Sequence, residues 1–294
     1  MANTILTPDI IAREALMVLR NNAVMANLVY RDYSDEFVAG VGDTITIRKP
    51  ATFEAKEFTS GGTITVQSAT ETGVEVKMDK HLDVSFAVTS KELTLDIADF
   101  SEQFIVPAMQ AFADKIDSYL IALADAITTN KATMGSTAAT VSDVVNTRAF
   151  LTKNAAPLTD RRFVYNSTVE SDLLKTDLFV NASAVGDEGT ALREASLGRK
   201  FGMDFYVDQN MDKATTAKAV AFHKNAFALV TRPLSLPNGA AKAAVMNYDG
   251  FGIRAVYDYD ITKKTDTISL DMLCGVKTLD EKLAAILAAS GVGG

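Results

Sequence analysis

Apolar positions change their period along this chain, and each change marks a change of element. Thr7-Pro8-Asp9 opens with a hydroxyl cap, a proline suited to the first helical position and an acid at the positive end of a helix dipole. Ile11, Ala15, Val18 and Leu19 then recur at helical spacing, and a second apolar stretch runs from Ala23 to Tyr30. This amphipathic front end packs either on its own domain or on a neighbour. From Gly42 to Ser90 the period is two. Thr44-Ile45-Thr46-Ile47-Arg48 alternates, stops at Pro50 and resumes at Thr63-Ile64-Thr65-Val66 after Ser60-Gly61-Gly62. Alternation continues through Val74, Val76 and Met78, then through Leu82, Val84, Phe86 and Val88, so the segment reads as β-strands joined by turns.

The strongest helical stripe is Phe104, Ala108, Phe112, Ile116, Leu120, Leu123 and Ile127, with Asp114, Lys115, Asp117 and Ser118 off it. A helix from Ser101 to Ile127 would be about 40 Å long, and Pro107 either marks its true start or bends it. Residues 130–140 are small and polar, which suits an exposed linker. Beyond it Ser142 can cap a helix running to about Asn154, Arg162-Phe163-Val164-Tyr165 reads as a strand, and Ser167-Thr168-Val169-Glu170 is a capping box for a helix to about Lys175. Such alternation indicates a mixed α/β lobe. Asn181 to Gly189 is small and acidic. The last quarter returns to strands at Gly252 to Tyr259 and Thr267 to Met272, then closes with a helix capped by Thr278-Leu279-Asp280-Glu281.

Between Ala51 and Lys80 the large apolar residues are only Phe53, Phe58, Ile64, Val66, Val74, Val76 and Met78. An isolated two-stranded ribbon is marginal in water, so this segment lies on its own chain or reaches to another. Two strands of about 12 residues extend roughly 40 Å, whereas a compact chain of this size has a radius of gyration near ~19 Å. Reach favours the projecting arrangement.

Composition removes several classes of function. The 294 residues are 48% hydrophobic and 22% charged, as a folded globular chain requires. No apolar run approaches the ~20 residues of a bilayer span, and the opening has no basic start followed by an apolar stretch, so no secretory leader is expected there. The single cysteine, Cys274, excludes an internal disulfide and reads as a small buried hydrophobe. With 29 basic and 37 acidic residues the net charge is −8, the opposite of what counterion release asks of a nucleic-acid reader. Catalytic constellations are lacking: the two histidines, His81 and His223, have no metal-ligand spacing, and Gly40-Val41-Gly42 precedes a strand where a dinucleotide fingerprint needs a helix. His81 is expected to hold structural hydrogen bonds and His223 to be a satisfied core or edge residue. The series Asp258, Asp260, Asp266 and Asp271 reads as a solvated strand face ahead of a calcium site. No cofactor and no metal are expected.

The order of these motifs resembles the major capsid (coat) proteins of tailed bacteriophages, of the Hong Kong-phage capsid type, in the branch of the short-tailed lambdoid phage coat protein. The residues that carry it are Thr7 to Ala12, Val41 to Pro50, Asp79-Lys80-His81 with Val84-Ser85-Phe86, and Thr89 to Leu95. Later come Leu197-Gly198-Arg199, Gly202 to Val207, Phe222-His223 with Ala226-Phe227, and Asp258 to Ile261. The resemblance spans nearly the whole chain. The best-known member of that branch carries an inserted domain in its second lobe, for which residues 160–250 leave too little room.

The resemblance implies an α+β fold in five segments: an N-terminal arm (1–37), an extended β-hairpin loop with adjoining strands (38–90), a peripheral domain with a long spine helix (91–133), an axial domain (134–240), and the peripheral domain's C-terminal strands and helix (241–294). It implies no enzyme, but a structural protein that self-assembles into an icosahedral head around double-stranded DNA, in the virion, after assembly in the bacterial cytoplasm. Partners would be further copies in hexamers and pentamers, scaffolding and portal proteins, and DNA held without sequence-specific contacts; no membrane is involved. The expected inter-subunit contacts are Lys56, Glu57, Phe58, Glu71, Glu75 and Lys77. Two other readings are an encapsulin-like nanocompartment shell and a cytoplasmic α/β enzyme with a diffuse site.

Overall fold

The longest apolar stripe of the sequence becomes α1 (Val106–Asp125), the longest helix among the described residues. The computed structural model describes residues 11–13, 15, 17, 19, 23–31, 44–49, 53, 55–58, 60, 62–64, 66, 72–89, 104–176, 197–237, 239, 242–248 and 251–289. The expected helix start at Thr7-Pro8-Asp9, the Gly40-Val41-Gly42 turn and the acidic stretch from Asn181 to Gly189 lie outside them. Pro107 falls in the first turn of α1, where a proline has no N–H bond to lose, and Phe104 and Ile105 ahead of it form part of a π turn. Ala108, Met109, Phe112, Ile116, Leu120 and Ala124 form the buried face.

Two sheets flank this helix. In the first, β10 (Lys242–Tyr248), β11 (Phe251–Asp260), β12 (Thr265–Thr278) and β3 (Lys80–Thr89) run antiparallel in that order, and β9 (Phe227–Arg232) pairs with the far end of β12. The second has the order β4 (Lys131–Thr133), β13 (Ala284–Ala288), β8 (Ala217–His223), β5 (Arg161–Tyr165), β7 (Met203–Val207) and β6 (Arg199–Lys200). Helix α1 touches β3 and β12 of the first sheet and β8 and β13 of the second. One apolar core therefore joins Phe112 and Ile116 to Leu270 and Met272 on one side and to Val220, Phe222 and Ile286 on the other.

The central strands of the second sheet, β13, β8 and β5, are buried on both faces. Val164, Val220 and Ile286 face α1, while the alternate residues Phe163, Ala219, Ala221 and Leu287 face a second core beneath α2 (Val141–Lys153) and α3 (Ser167–Leu174). Strands covered on both faces lose their polar alternation, and this corrects the expected C-terminal helix. Asp280 does accept from the Lys282 N–H at 3.0 Å, but only a single 3-10 turn (Glu281–Leu283) follows before the all-buried strand β13. The expected linker at 130–140 is corrected too. Lys131–Thr133 is an edge strand parallel to β13, and the Asn130 amide donates to the carbonyls of Glu281 and Ala284 at 2.7 and 3.0 Å. That pairing spans over 150 residues of sequence and leaves no mark on local composition.

Helix caps sit slightly upstream of their expected positions. Thr140, not Ser142, caps α2 in a reciprocal box with Asp143, and Asn166, not Ser167, caps α3 by accepting from the Val169 N–H at 3.0 Å. The described front residues settle the choice left open by the sequence. Ile11, Leu19, Met25 and Leu28 are buried in the same core as α1, and Tyr30 bridges Ala228 at the head of β9. Sheet membership also interleaves the expected segments: 134–240 contributes β9 to the first sheet and 241–294 contributes β13 to the second.

Phe163 is fully buried, with its ring centroid 5.0 Å from Phe205 and 5.9 Å from Tyr165. Replacing it with alanine removes that contact and leaves a cavity between the sheet and α2. Phe163→Ala should lower the unfolding free energy by about 3–5 kcal/mol, read by urea titration.

Candidate functional site

Strands β1 (Thr44–Lys49) and β2 (Thr72–Lys77) pair antiparallel, from Thr44 opposite Lys77 to Lys49 opposite Thr72. The ladder is the base of a ribbon. Its inner side chains, Ile47 and Val76, are buried against Val230 of β9, with Ile45, Met78 and Leu279 packed around them. Gly275 of β12 lets the base come this close: a Cβ there would stand 2.3 Å from the Lys77 carbonyl oxygen.

Beyond the ladder the environment reverses. Phe53, Phe58, Ile64 and Val66 are 66%, 64%, 77% and 89% exposed, whereas Val76 is 0% exposed. Burying a side chain of this size is worth about 1.5–3 kcal/mol, and the isolated chain leaves all four of those gains unrealised. The described residues of the expected strand Thr63 to Val66 lie outside any strand. Residues 51–80, expected to be unsatisfied throughout, thus divide in two. The 72–80 end is completed by its own chain, and the described residues between 53 and 66 are not.

The expected contact residues divide the same way. Lys56, Glu57 and Phe58 lie in the exposed part. Glu75 and Lys77 share the outward face of the docked strand β2, opposite Thr46 and Thr44, and Glu71 lies outside the described residues. Charge guided that choice and passed over Phe53, Ile64 and Val66, although isolated large apolar residues in a polar stretch were the available signal.

Titratable groups elsewhere are tied into structure. Asp271, directly opposite Arg254, accepts from the Arg254 Nε at 2.9 Å and from its Nη2, and the His81 Nε2 stands 3.6 Å from the same carboxylate. Asp266 accepts from the Tyr257 hydroxyl, and burial together with that bond pushes the phenol up to about 12. Asp266 and Asp271 are therefore buried and partnered, correcting the solvated face expected for the aspartate series. Asp260 instead caps the exposed turn by accepting from the Thr262 hydroxyl and from the Thr262 N–H at 2.9 Å, and these bonds hold its carboxyl below the usual range. No group of three metal-ligating side chains occurs among the described residues. His223 is buried at the end of β8; its Nδ1 accepts from the Asn225 N–H at 3.2 Å, and loss of hydration lowers its pKa. Burial pushes the Cys274 thiol up to about 12, which makes it unreactive.

Two further aspartates, on α1, had no sequence signal beyond lying off its stripe. Asp117 accepts from the Val24 and Ala26 N–H groups at 2.7 and 2.8 Å. Asp125 accepts from Thr215, Thr216 and Ala217 at 3.1, 2.8 and 2.6 Å. Each pins a distant segment to the helix.

No protein-family model matches the chain, and no curated protein matches it. Solved structures do match. A structure of Mycobacterium phage Che8 aligns with a TM-score of 0.67 at 20% identity, covering 92% of each chain. The capsid of cyanophage P-SCSP1u gives 0.62 at 15% identity over 85% of this chain and 84% of its own. The capsid of a native GTA particle gives 0.60 at 14% identity over 95% and 91%. At these identities the likeness is one of fold: the chain shares a mixed α+β architecture with capsid proteins over most of its length.

The two halves of the ribbon should respond differently to substitution. Phe58→Ser and Ile64→Ser should each change the unfolding free energy of the isolated chain by no more than about 0.5 kcal/mol. Val76→Ala should cost about 2 kcal/mol, with urea titration of the three variants as the comparison.

Proposed function

We propose that this chain is a tailed-phage major capsid protein whose function is to bind copies of itself. The observation that carries the reading is a ribbon anchored by Ile47 and Val76 that leaves Phe53, Phe58, Ile64 and Val66 in water, on a fold shared with capsid proteins. In this reading the ribbon is the extended loop, α1 the spine helix, the first sheet the body of the peripheral domain and the second sheet the axial domain. The exposed part lies across the next subunit. There the apolar side chains lose their contact with water, and Lys56, Glu57, Glu71, Glu75 and Lys77 make charge pairs around Phe58.

Open-ended contacts between unlike patches build rings and shells. An exposed ion pair is worth only about 0–1 kcal/mol, so misplaced subunits can leave, while many such contacts together hold a finished shell. The net charge of −8 fits an inner wall that encloses DNA without adsorbing it. Scaffolding and portal proteins complete the set of partners, and assembly takes place in the bacterial cytoplasm. No catalysis is assigned.

Deleting Ala55 to Thr70 tests the reading. The shortened chain should stay soluble and fold with the parent's urea midpoint, yet show no shells by negative-stain microscopy where the parent forms them. Normal shells from the deletion, or a parent chain that stays solitary at high concentration, would overturn it.

A further inference from the structure

Where α1 ends, its last turn meets the chain leaving β12, and the meeting leaves a hollow. Leu123 of α1 and the run Lys277-Thr278-Leu279-Asp280-Glu281 line an opening of about 390 Å³. Its two leucines belong to different cores. Leu123 packs against the core around α1, and Leu279 against the small core of the ribbon base. The charged residues of the lining are unevenly placed. Asp280 caps the 3-10 turn through the Lys282 N–H, Glu281 is exposed and accepts from the Thr129 hydroxyl at 3.4 Å, and the exposed Lys277 stands at the other end of the run.

The ribbon holds the matching shape. Phe53, Phe58, Ile64 and Val66 all need apolar cover, and charge separates them. In an extended run, residues two apart point to the same side. Phe53 has Ala51 and Ala55 at those positions, Ile64 has Gly62 and Val66, and Val66 has Ile64 and Ser68. Phe58 has Lys56 and Ser60, so of the four it alone carries a cation on its own side. A hollow lined by two leucines with a carboxylate at one end suits that pair.

Building on the self-association proposed above, we propose that the hollow is the seat of Phe58 from a second copy of the chain, with that copy's Lys56 drawn to Glu281 and kept away from Lys277. The ring gains the cover of Leu123 and Leu279, and the two rim charges fix the direction in which the segment enters. Phe58 is 64% exposed in its own chain, so it does not fill its own hollow. Each copy gives one Phe58 and offers one hollow, which are different patches. The contact is therefore head-to-tail, and repeating it carries assembly past two copies.

Phe58→Cys combined with Thr278→Cys tests the seat in the full chain, because the native Cys274 is buried. The double variant, assembled and treated with a short bis-maleimide, should give a ladder of covalent oligomers beyond the dimer on a denaturing gel. Either single variant should give nothing larger than a dimer. As a second arm, Lys56→Glu and Glu281→Lys should each raise the concentration needed for shells about fivefold, and the two together in one chain should restore the parent's value. A cross-link that stays within one chain, shells that yield no ladder, or a charge exchange without recovery would overturn the contact and leave the capsid reading standing. A parent chain that forms no shells would overturn both.

Discussion

Burial of a single helical stripe organises the molecule. Phe112, Ile116 and Leu120 of α1 share one core with the front segment and with both sheets, so the helix is the common surface against which three otherwise separate layers are placed. Apolar contact has no direction, and on its own it would let those layers slide. Asp117 and Asp125 supply the missing direction by accepting backbone N–H bonds from residues about 90 positions away in each case. Burying an aspartate has an electrostatic cost: loss of hydration raises the Asp117 pKa, and the N–H bonds from Val24 and Ala26 oppose that rise by favouring the charged form.

With the body fixed in this way, the ribbon can be stiff at one end and unsatisfied at the other. A two-stranded ladder is marginal by itself. Ile47, Val76 and Val230 give this one a small core of its own, and Gly275 lets it press onto β12.

Charge inside the body is managed by neighbours more than by ion pairs. Arg161 is fully buried, yet its guanidinium donates to the Pro157 and Ala156 carbonyls and to the Thr152 hydroxyl. Asp271 has a true counterion in Arg254 because the antiparallel register puts the two directly opposite each other. Breaking such a buried pair costs more than forming it gains, so these residues specify which strands lie side by side more than they stabilise the whole.

What the sequence determined alone was local. The period of three and four from Ala108 to Leu120 made α1. The period of two made β2, β3 and the strands of the last quarter, and the order of motifs resembles that of a phage capsid protein. Pro107 and the polar stretch around Lys56 carried their meaning within a few neighbours. What only the tertiary structure decided depended on partners far along the chain. Ala284–Ala288 reads as a helix until β4 and β8 enclose it, because a strand buried on both faces has no polar beat. Asp266 and Asp271 read as wet until Tyr257 and Arg254 stand across from them. The stretch from 51 to 80 reads as one unsatisfied ribbon until Val230 covers Val76 at its base. Periodicity reports which face of an element is apolar; only packing says whether something already covers it.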